Sequence, residues 1–207
     1  RSDFMGDIRE PVRESAVLKK NRIIEKGFEL MCEKGYHNVN CVDIAKYASV
    51  STGIIYQYFN DKRDIFIEGV KYYSNSFMFP MFDIFEEKKI SKDNVGILIS
   101  EIIDSFINTH KMSFRAHEEL MAMSHIDSEI QKIFSDNEVN MTKRIVSALE
   151  SNGFVISNIF EKVHIIIGIV DNFCHEVVYH NHESMNYDVM KREIIDIIIY
   201  ILCNKEK

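Results

Sequence analysis

Residues 50–66 read VSTGIIYQYFNDKRDIF, and the structure of this stretch decides the fold. Its first ten residues are mostly β-branched, aromatic or hydroxyl-bearing, which favours strands or turns over helices. As a strand, the stretch would alternate its side chains between two faces without separating apolar from polar residues. As a helix that begins after Ser51, it places Ile55 and Phe59 one turn apart on a single inner face. The pattern therefore predicts a helix, although its residues are poor helix formers.

Two further helices are predicted before this stretch. Residues 13–34 place apolar side chains at helical spacing. Residues 41–48 form a shorter helix that Asn40 caps, and its inward residues are Val42, Ile44, Ala45 and Ala48. Residues 48–50 are then a tight turn, and Ser51 is the N-cap of the next helix. Three short helices, the last two joined by a tight turn, predict a helix-turn-helix motif.

Long helices are expected in the rest of the chain, because only two prolines and eight glycines occur in 207 residues. The fourth helix begins near Lys62 and is expected to bend near Pro80. Asn158 and Glu161 have the spacing of a capping box. The remaining helices are predicted at residues 93–111, 114–125, 127–152, 158–181 and 187–204, with Gly35 and Gly153 ending two of the predicted helices.

The charge of the chain is unevenly distributed. The net charge is −7, which by itself disfavours a nucleic-acid partner. Residues 13–63, however, carry nine Lys/Arg against six Asp/Glu, and the acidic excess lies further along the chain. No apolar run approaches the roughly 20 residues that span a bilayer. The sequence therefore predicts a cytoplasmic protein with no membrane partner and a mildly basic N-terminal quarter.

Three quoted segments carry a resemblance to a known family. RIIEKGFELMCEKGY (22–36), VDIAKYASVSTGIIYQYF (42–59) and NDKRDIF (60–66) resemble the first helix, the helix-turn-helix and the start of helix four of TetR/AcrR transcriptional regulators. This resemblance implies an all-α fold, with a DNA-binding domain at 13–60 and an effector-binding and dimerisation domain at 61–207. It also implies a ligand-responsive regulator, most simply a repressor that a small, largely apolar effector releases from operator DNA. Ser49 departs from the family pattern, which usually has Gly there, and Asn40-Cys41 replaces a usual Thr/Ser pair.

The predicted recognition helix has residues suited to reading double-stranded DNA. Short side chains at Thr52 and Gly53 allow the backbone to approach the bases, and Gln57 can form a bidentate contact with adenine. The methyl groups of Thr52 and Ile54 can contact thymine. The resemblance adds phosphate contacts by Tyr56, Tyr58 and Lys62, although the tyrosines could instead be amphipathic cover for the small domain. The predicted DNA-binding residues are Asn40, Ser51, Thr52, Gly53, Ile54, Tyr56, Gln57, Tyr58 and Lys62.

The two C-terminal helices predict a homodimer. Residues 158–181 and 187–204 are apolar nearly all round, which is difficult to bury within one subunit. Two such helices from each of two subunits can pack as a four-helix bundle, and the resembled family dimerises in this way. A dimer also spaces two recognition helices by roughly 34 Å, as successive major grooves require.

An effector pocket is predicted between the DNA-binding domain and the dimerisation helices. Its apolar lining would come from Met and Phe side chains, although any one of them could be ordinary core. Asp171 and His175 share a helix face at i, i+4, where they could bind a ligand group or a metal, or form a buried hydrogen bond or dimer contact. The predicted pocket residues are Phe82, Phe106, His110, Met121, His125, Asp171 and His175, with Phe77, Met78, Met81, Phe85, Met112 and Met123 as further lining.

No catalytic or cofactor motif accompanies these features. The sequence has no P-loop, G-x-G-x-x-G or nucleophile elbow. H-E-V-V-Y-H (175–180) resembles a zinc-protease motif, but its second His comes five residues after the first, so the two lie on different helix faces. The prediction is therefore a regulator that is not an enzyme and has no cofactor or metal. The alternatives are a metal-responsive regulator using Asp171 and His175, and an enzyme that acts on a small molecule.

Overall fold

The computed structural model describes residues 13–74, 89–112 and 114–203. Within these ranges the chain forms nine α-helices and no strand, which confirms the predicted all-α fold. In chain order the helices are α1 (Glu14–Lys34), α2 (Cys41–Tyr47), α3 (Thr52–Tyr58), α4 (Lys62–Tyr73), α5 (Val95–Met112), α6 (Phe114–Ser124), α7 (Ser128–Ser151), α8 (Ile159–Val178) and α9 (Tyr187–Cys203). A 3-10 turn, Tyr36–Asn38, joins α1 to α2.

The described residues form two compact units. The first contains 13–74 and 115–133, so that α1 to α4 are joined by most of α6 and the first turn of α7. The second contains the remaining residues of α5 to α9. The division into functional domains at residues 60 and 61 stays a prediction.

The core of the first unit is aromatic and tightly packed where α1 meets α4. The ring of Phe28 on α1 lies 5.4 Å from that of Phe66 on α4, measured between centroids. Gly69 makes this approach possible, because a Cβ at that position would lie 2.5 Å from the Phe28 ring. Gly27 has the same role on α1, since a Cβ there would lie 2.7 Å from a methyl group of Ile65. The contact therefore has no room for additional atoms.

The core of the second unit is mainly aliphatic. The side chains of Ile103, Leu149, Val163 and Ile198 are each no more than 1% exposed. They come from α5, α7, α8 and α9, so all four helices contribute to one core. Branched aliphatic side chains fill a core without polar atoms that would need hydrogen-bond partners.

The structure confirms some of the local predictions and contradicts others. Gly35 and Gly153 have positive φ angles of 87° and 82°, as expected at helix ends. Val42 is 61% exposed, so its inward placement is wrong; the short α2 buries Cys41, Ile44 and Ala45 instead. The capping box of Asn158 is also wrong, because its φ of 50° is left-handed and its side chain forms no cap hydrogen bond. Pro80 lies outside the described residues.

Candidate DNA-binding and effector sites

The first helix of the helix-turn-helix motif is capped as predicted. Asn40 Oδ1 accepts hydrogen bonds from the backbone amides of Val42 at 2.8 Å and Asp43 at 3.1 Å. Asp43 Oδ2 accepts in turn from the backbone amide of Asn40 at 3.0 Å, which completes a capping box. The oxygen of the exposed Asn40 side chain is thus used by the cap, which leaves the amide nitrogen as its group for a phosphate contact.

The turn between α2 and α3 places Ser49 in a backbone conformation that favours glycine. Ser49 has a φ of 56°, so it adopts the left-handed conformation for which the family uses glycine. The amide of Val50 donates to the carbonyl of Ala45 at 2.9 Å, and the amide of Ser49 donates to that of Lys46 at 3.2 Å. These two bonds form a Schellman motif, which gives partners to two carbonyl groups at the end of α2. The motif sets the direction in which the chain enters α3.

Helix α3 separates buried anchors from an exposed face. Ile55 is fully buried and Phe59, at its C-cap, is 2% exposed, as predicted for the inner face. Ser51 occupies the N-cap position, but its side chain forms no cap hydrogen bond. The predicted base-reading residues are exposed or half-buried: Thr52, Gly53, Ile54 and Gln57. Anchoring by buried residues holds a helix of only seven residues, which would not be stable alone.

Two predicted phosphate contacts are placed differently from the expectation. Tyr58, a predicted phosphate contact, is only 6% exposed, because the last turn of the short helix is packed into the core beside Phe59. Lys62 Nζ donates to the carbonyl oxygens of Tyr36 and Val39, at 2.7 Å each. Its ammonium group also lies 4.4 Å from the centroid of the Tyr36 ring. Lys62 thus braces the turn before α2, and the phosphate contacts of both residues stay predictions.

Tyr56 is the tyrosine that α3 exposes, at 55% of its surface. Its hydroxyl forms a hydrogen bond with the side chain of Cys41, which links α3 to the start of α2. The neighbouring Cys41 raises the pKa of the Tyr56 phenol, and burial raises the pKa of the Cys41 thiol. Both groups are therefore protonated near pH 7, and Tyr56 keeps a hydroxyl donor suited to a phosphate oxygen.

An ion-pair cluster in the first unit was missing from the sequence predictions. Arg63 Nε lies 2.6 Å from Asp127 Oδ2 and Arg63 Nη2 lies 2.9 Å from Asp127 Oδ1. The same Nη2 lies 2.9 Å from Glu129 Oε2. Hydrogen bonds with Arg63 lower the pKa of the Asp127 carboxyl. Local sequence carries no signal for this cluster, because 64 residues separate Arg63 from Asp127.

The second unit contains an apolar cavity of about 60 Å³. It lies among α5, α7, α8 and α9. Its lining differs from the predicted Met and Phe side chains, of which Phe106 alone takes part among the described residues. The lining residues are Ile90, Val95, Leu98, Ile99, Ile102, Ile103, Phe106, Ile145, Leu149, Val163, Ile166, Ile167, Val170, Ile198 and Leu202.

A polar cluster lies one helical turn beyond Phe106. The ring of the buried His110 stacks on that of Phe106, and its Nδ1 donates to the Phe106 carbonyl oxygen at 2.8 Å. His110 Nε2 lies 3.6 Å from Asp171 Oδ1, and His175 Nε2 lies 3.6 Å from Asp171 Oδ2. The rings of His110 and His175 also contact each other edge to face, with 5.2 Å between their centroids. The structure therefore brings Phe106, His110, Asp171 and His175 together.

Three other predicted pocket residues do not line this cavity. Met121 and His125 belong to the first unit, where Met121 is half-buried and His125 is exposed. Met123, a further predicted lining residue, is buried in the same unit. Phe82 lies outside the described residues, as do Phe77, Met78, Met81 and Phe85.

The comparisons with known proteins agree with the geometry of the N-terminal helices. The model of the bacterial regulatory proteins of the tetR family matches residues 23–68. A fatty acid metabolism regulator protein of Bacillus subtilis (strain 168) is 32% identical over 102 residues, 49% of this chain and 53% of that protein. Residues 23–68 are therefore similar to the bacterial regulatory proteins of the tetR family. The chain spans about half the length of the curated Bacillus subtilis relative.

Two further similar proteins extend the comparison. The HTH-type transcriptional regulator HbdR of Aromatoleum sp. (strain CIB) is 47% identical over 47 residues, 23% of this chain and 20% of that protein. The solved structure of the fatty acid degradation regulator FadR from Bacillus halodurans superposes with a TM-score of 0.65 at 18% identity. That superposition covers 90% of this chain and 97% of the other. The helical fold after the helix-turn-helix motif is therefore similar to the fold of that structure.

The last two helices, α8 and α9, expose apolar side chains. Ile165 on α8 is 57% exposed, and Ile197 and Tyr200 on α9 are 47% and 69% exposed. Gly168 lies on the exposed side of α8, and a Cβ there would meet no other atom within 4 Å. A helix face with apolar side chains and a bare glycine backbone allows another helix to approach closely.

None of the helices in residues 13–74, 89–112 and 114–203 is long and apolar enough to cross a membrane. Helix α8, for example, has twenty residues but includes Glu161, Lys162, Asp171 and Glu176. Charged side chains at these positions would each be costly in the hydrocarbon region.

Proposed function

We propose that the chain is a ligand-responsive, DNA-binding transcriptional regulator, most simply a cytoplasmic repressor. The observation that carries this proposal is the pairing of buried anchors with an exposed polar row on α3, directly after the Schellman turn. Thr52, Gly53 and Gln57 then face the major groove, while Ile55 and Phe59 hold α3 to its domain. The similarity of residues 23–68 to the bacterial regulatory proteins of the tetR family supports the same function and favours a protein that is not an enzyme.

The DNA-reading role is tested with Gln57→Ala and Tyr56→Phe. The operator is first selected from a random double-stranded DNA library with the wild-type protein. We expect Gln57→Ala to lose about 1–3 kcal/mol of discrimination at one base pair, and Tyr56→Phe to weaken binding uniformly across sequences. Gln131→Ala, an exposed glutamine on α7, is the matched control. Unchanged affinity and base preference in both α3 variants would refute the assignment.

The effector that we propose has a long apolar chain of the acyl type. A cavity with only hydrocarbon side chains in its lining offers no partner to polar atoms, so it selects a chain by length and shape. The curated Bacillus subtilis relative is named as a regulator of fatty acid metabolism, which supports an acyl chain and disfavours the metal-responsive alternative. His110, Asp171 and His175 would then meet the polar end of the ligand next to Phe106.

Acyl-CoA thioesters and free fatty acids of increasing chain length test this effector, with coenzyme A alone as the control. We expect long chains to release the protein from its operator and short chains to have no effect. Ile102→Phe, which narrows the cavity, should shift the response toward shorter chains, whereas Ile97→Phe on the exposed side of α5 should not. Release that is independent of chain length would exclude this effector class.

We also propose a homodimer through helices 158–181 and 187–204, which contain α8 and α9. The exposed Ile165, Ile197 and Tyr200 and the open surface at Gly168 support it. Ile165→Glu should yield monomers in sedimentation experiments and abolish binding to a two-half-site operator. Ile126→Glu, which changes an equally exposed isoleucine in the first unit, is the control and should leave the dimer intact.

A further inference from the structure

The sequence places two cations, Lys62 and Arg63, directly after the recognition helix. A basic pair at that position is the expected signature of phosphate contacts. The structure turns both cations toward the protein instead. Lys62 donates to the carbonyl groups of Tyr36 and Val39, and Arg63 binds the carboxylates of Asp127 and Glu129. Both basic side chains in the first turn of α4 therefore bind other groups of the protein.

The contact between Arg63 and Asp127 is held in one orientation at both ends. Two parallel hydrogen bonds of 2.6 and 2.9 Å fix the plane of the guanidinium group against the carboxylate. Asp127 Oδ1 also accepts from the backbone amides of Glu129 at 3.0 Å and Ile130 at 3.3 Å. The Asp127 side chain is only 13% exposed, so solvent screens the pair less than a surface ion pair.

A third carboxylate from the same stretch of chain holds the turn before α2. Glu119 Oε1 on α6 accepts a hydrogen bond from the backbone amide of Tyr36 at 2.5 Å. The carbonyl oxygen of Tyr36 accepts from Lys62 at 2.7 Å. Glu119, Asp127 and Glu129 all lie in residues 115–133. This stretch is therefore bound to the turn before α2 and to α4, which precede and follow the pair of helices α2 and α3.

We infer that Arg63 is a positioning residue for DNA reading, through which the carboxylates of residues 115–133 set the position of α4 and hence of α3. The inference rests on the proposed DNA-binding function. Only residues 59–61 separate the end of α3 from the start of α4, so a shift of the first turn of α4 moves α3 with it. Residues 115–133 are preceded and followed in the chain by the second unit. A structural change in the second unit can therefore reach residues 115–133 through the backbone.

A double-mutant cycle with Arg63→Gln, Asp127→Asn and the double variant tests the inference on the full-length dimer. Operator affinity is measured over a range of salt concentrations. We expect each single variant to lose about tenfold in affinity and the double variant to lose no more, since both changes remove one interaction. The slope of log affinity against log salt should stay at the wild-type value, because no phosphate contact is lost. Glu68→Gln, which removes an exposed ion pair with Lys71 on the same helix, is the control and should have no effect.

Other outcomes would overturn the inference. A phosphate contact by Arg63 would lower the salt slope by about 0.9 for each subunit of the Arg63→Gln dimer, while Asp127→Asn would leave affinity unchanged or raise it. Additive losses, or wild-type affinity in all three variants, would contradict it as well. Arg63→Lys and Asp127→Glu, which keep the charges, should lose less affinity than the neutral variants, and equal losses would count against positioning by this pair. Failure of the wild-type protein to select any DNA sequence would instead refute the proposed function.

Discussion

The two units of the chain solve different packing problems. The first is built around aromatic rings, glycines at helix contacts and ion pairs with fixed geometry, as at Phe28, Gly69 and Arg63. The second is built from branched aliphatic side chains around a cavity of about 60 Å³. A DNA-reading surface needs fixed positions, whereas a site for an apolar ligand needs removable volume. We therefore expect the first unit to be destabilised by substitutions that add atoms, and the second unit to tolerate them beside its cavity.

The largest effect that this comparison predicts is at Gly69. Gly69→Ala places a Cβ 2.5 Å from the Phe28 ring, so α1 and α4 must separate, and we expect a net loss of about 2 kcal/mol in the free energy of unfolding. Gly53→Ala, the same change in an exposed helical position, should gain up to about 1 kcal/mol from helix propensity. Denaturant unfolding measures both. Equal effects would mean that the first unit is not tightly packed at the contact between α1 and α4.

A pair of valines tests the two cores directly. Val163→Ile adds a methylene group beside the cavity and should stabilise the protein by about 0.5–1 kcal/mol. Val70→Ile adds the same group in the first unit, where Val70 is fully buried on α4, and should cost about 1–2 kcal/mol. Thermal unfolding of the two variants gives opposite shifts if the comparison is correct. A destabilised Val163→Ile variant would indicate that the cavity cannot accept added volume.

Glycine at position 49, which the resembled family usually has, should stabilise the turn before α3. Ser49→Gly removes the cost of a left-handed conformation for a residue with a Cβ, and we expect about 1 kcal/mol of added stability with the same operator. Gly153→Ala is the reverse control, since it introduces a Cβ at a φ of 82° with no atom within 4 Å. If Ser49→Gly is less stable than the wild-type protein, the Ser49 side chain forms a stabilising contact in addition to the Schellman motif.

The smallest expected effect concerns pH. Hydrogen bonds with Arg63 lower the pKa of Asp127 below its ordinary value of 3.8, so the folded state binds that proton less readily than the unfolded state. The resulting stability is present above about pH 4 and is lost as pH falls through the lowered pKa. Asp127→Asn should flatten the dependence of unfolding free energy on pH in that window. Arg63→Gln should flatten it in part, because the backbone amides of Glu129 and Ile130 still lower the pKa of Asp127. An unchanged profile in either variant would contradict the coupling.

Much of the helical pattern could be predicted from the sequence, because helix periodicity and end signals are local. The cap at Asn40, the positive φ at Gly35 and the anchors Ile55 and Phe59 all follow from residues within one or two turns. The exposures of Tyr58 and Val42 could not be predicted in this way. Helices of seven residues have no complete inner stripe, so neighbouring elements decide which of their side chains are buried.

The sequence by itself determined the helix-turn-helix pattern, the resemblance to TetR-family regulators and the apolar character of the last two helices, because each depends on short-range spacing or on composition. Only the tertiary structure decided which side chains line the cavity, that Lys62 braces the Tyr36 turn, and that Arg63 contacts Asp127. The contacts of Lys62 with Val39 and of Arg63 with Asp127 join residues 23 and 64 positions apart, and no local pattern encodes such a pairing. The stretch VSTGIIYQYFNDKRDIF by itself thus predicts a DNA-reading helix, but contacts with the rest of the chain decide how that helix is held.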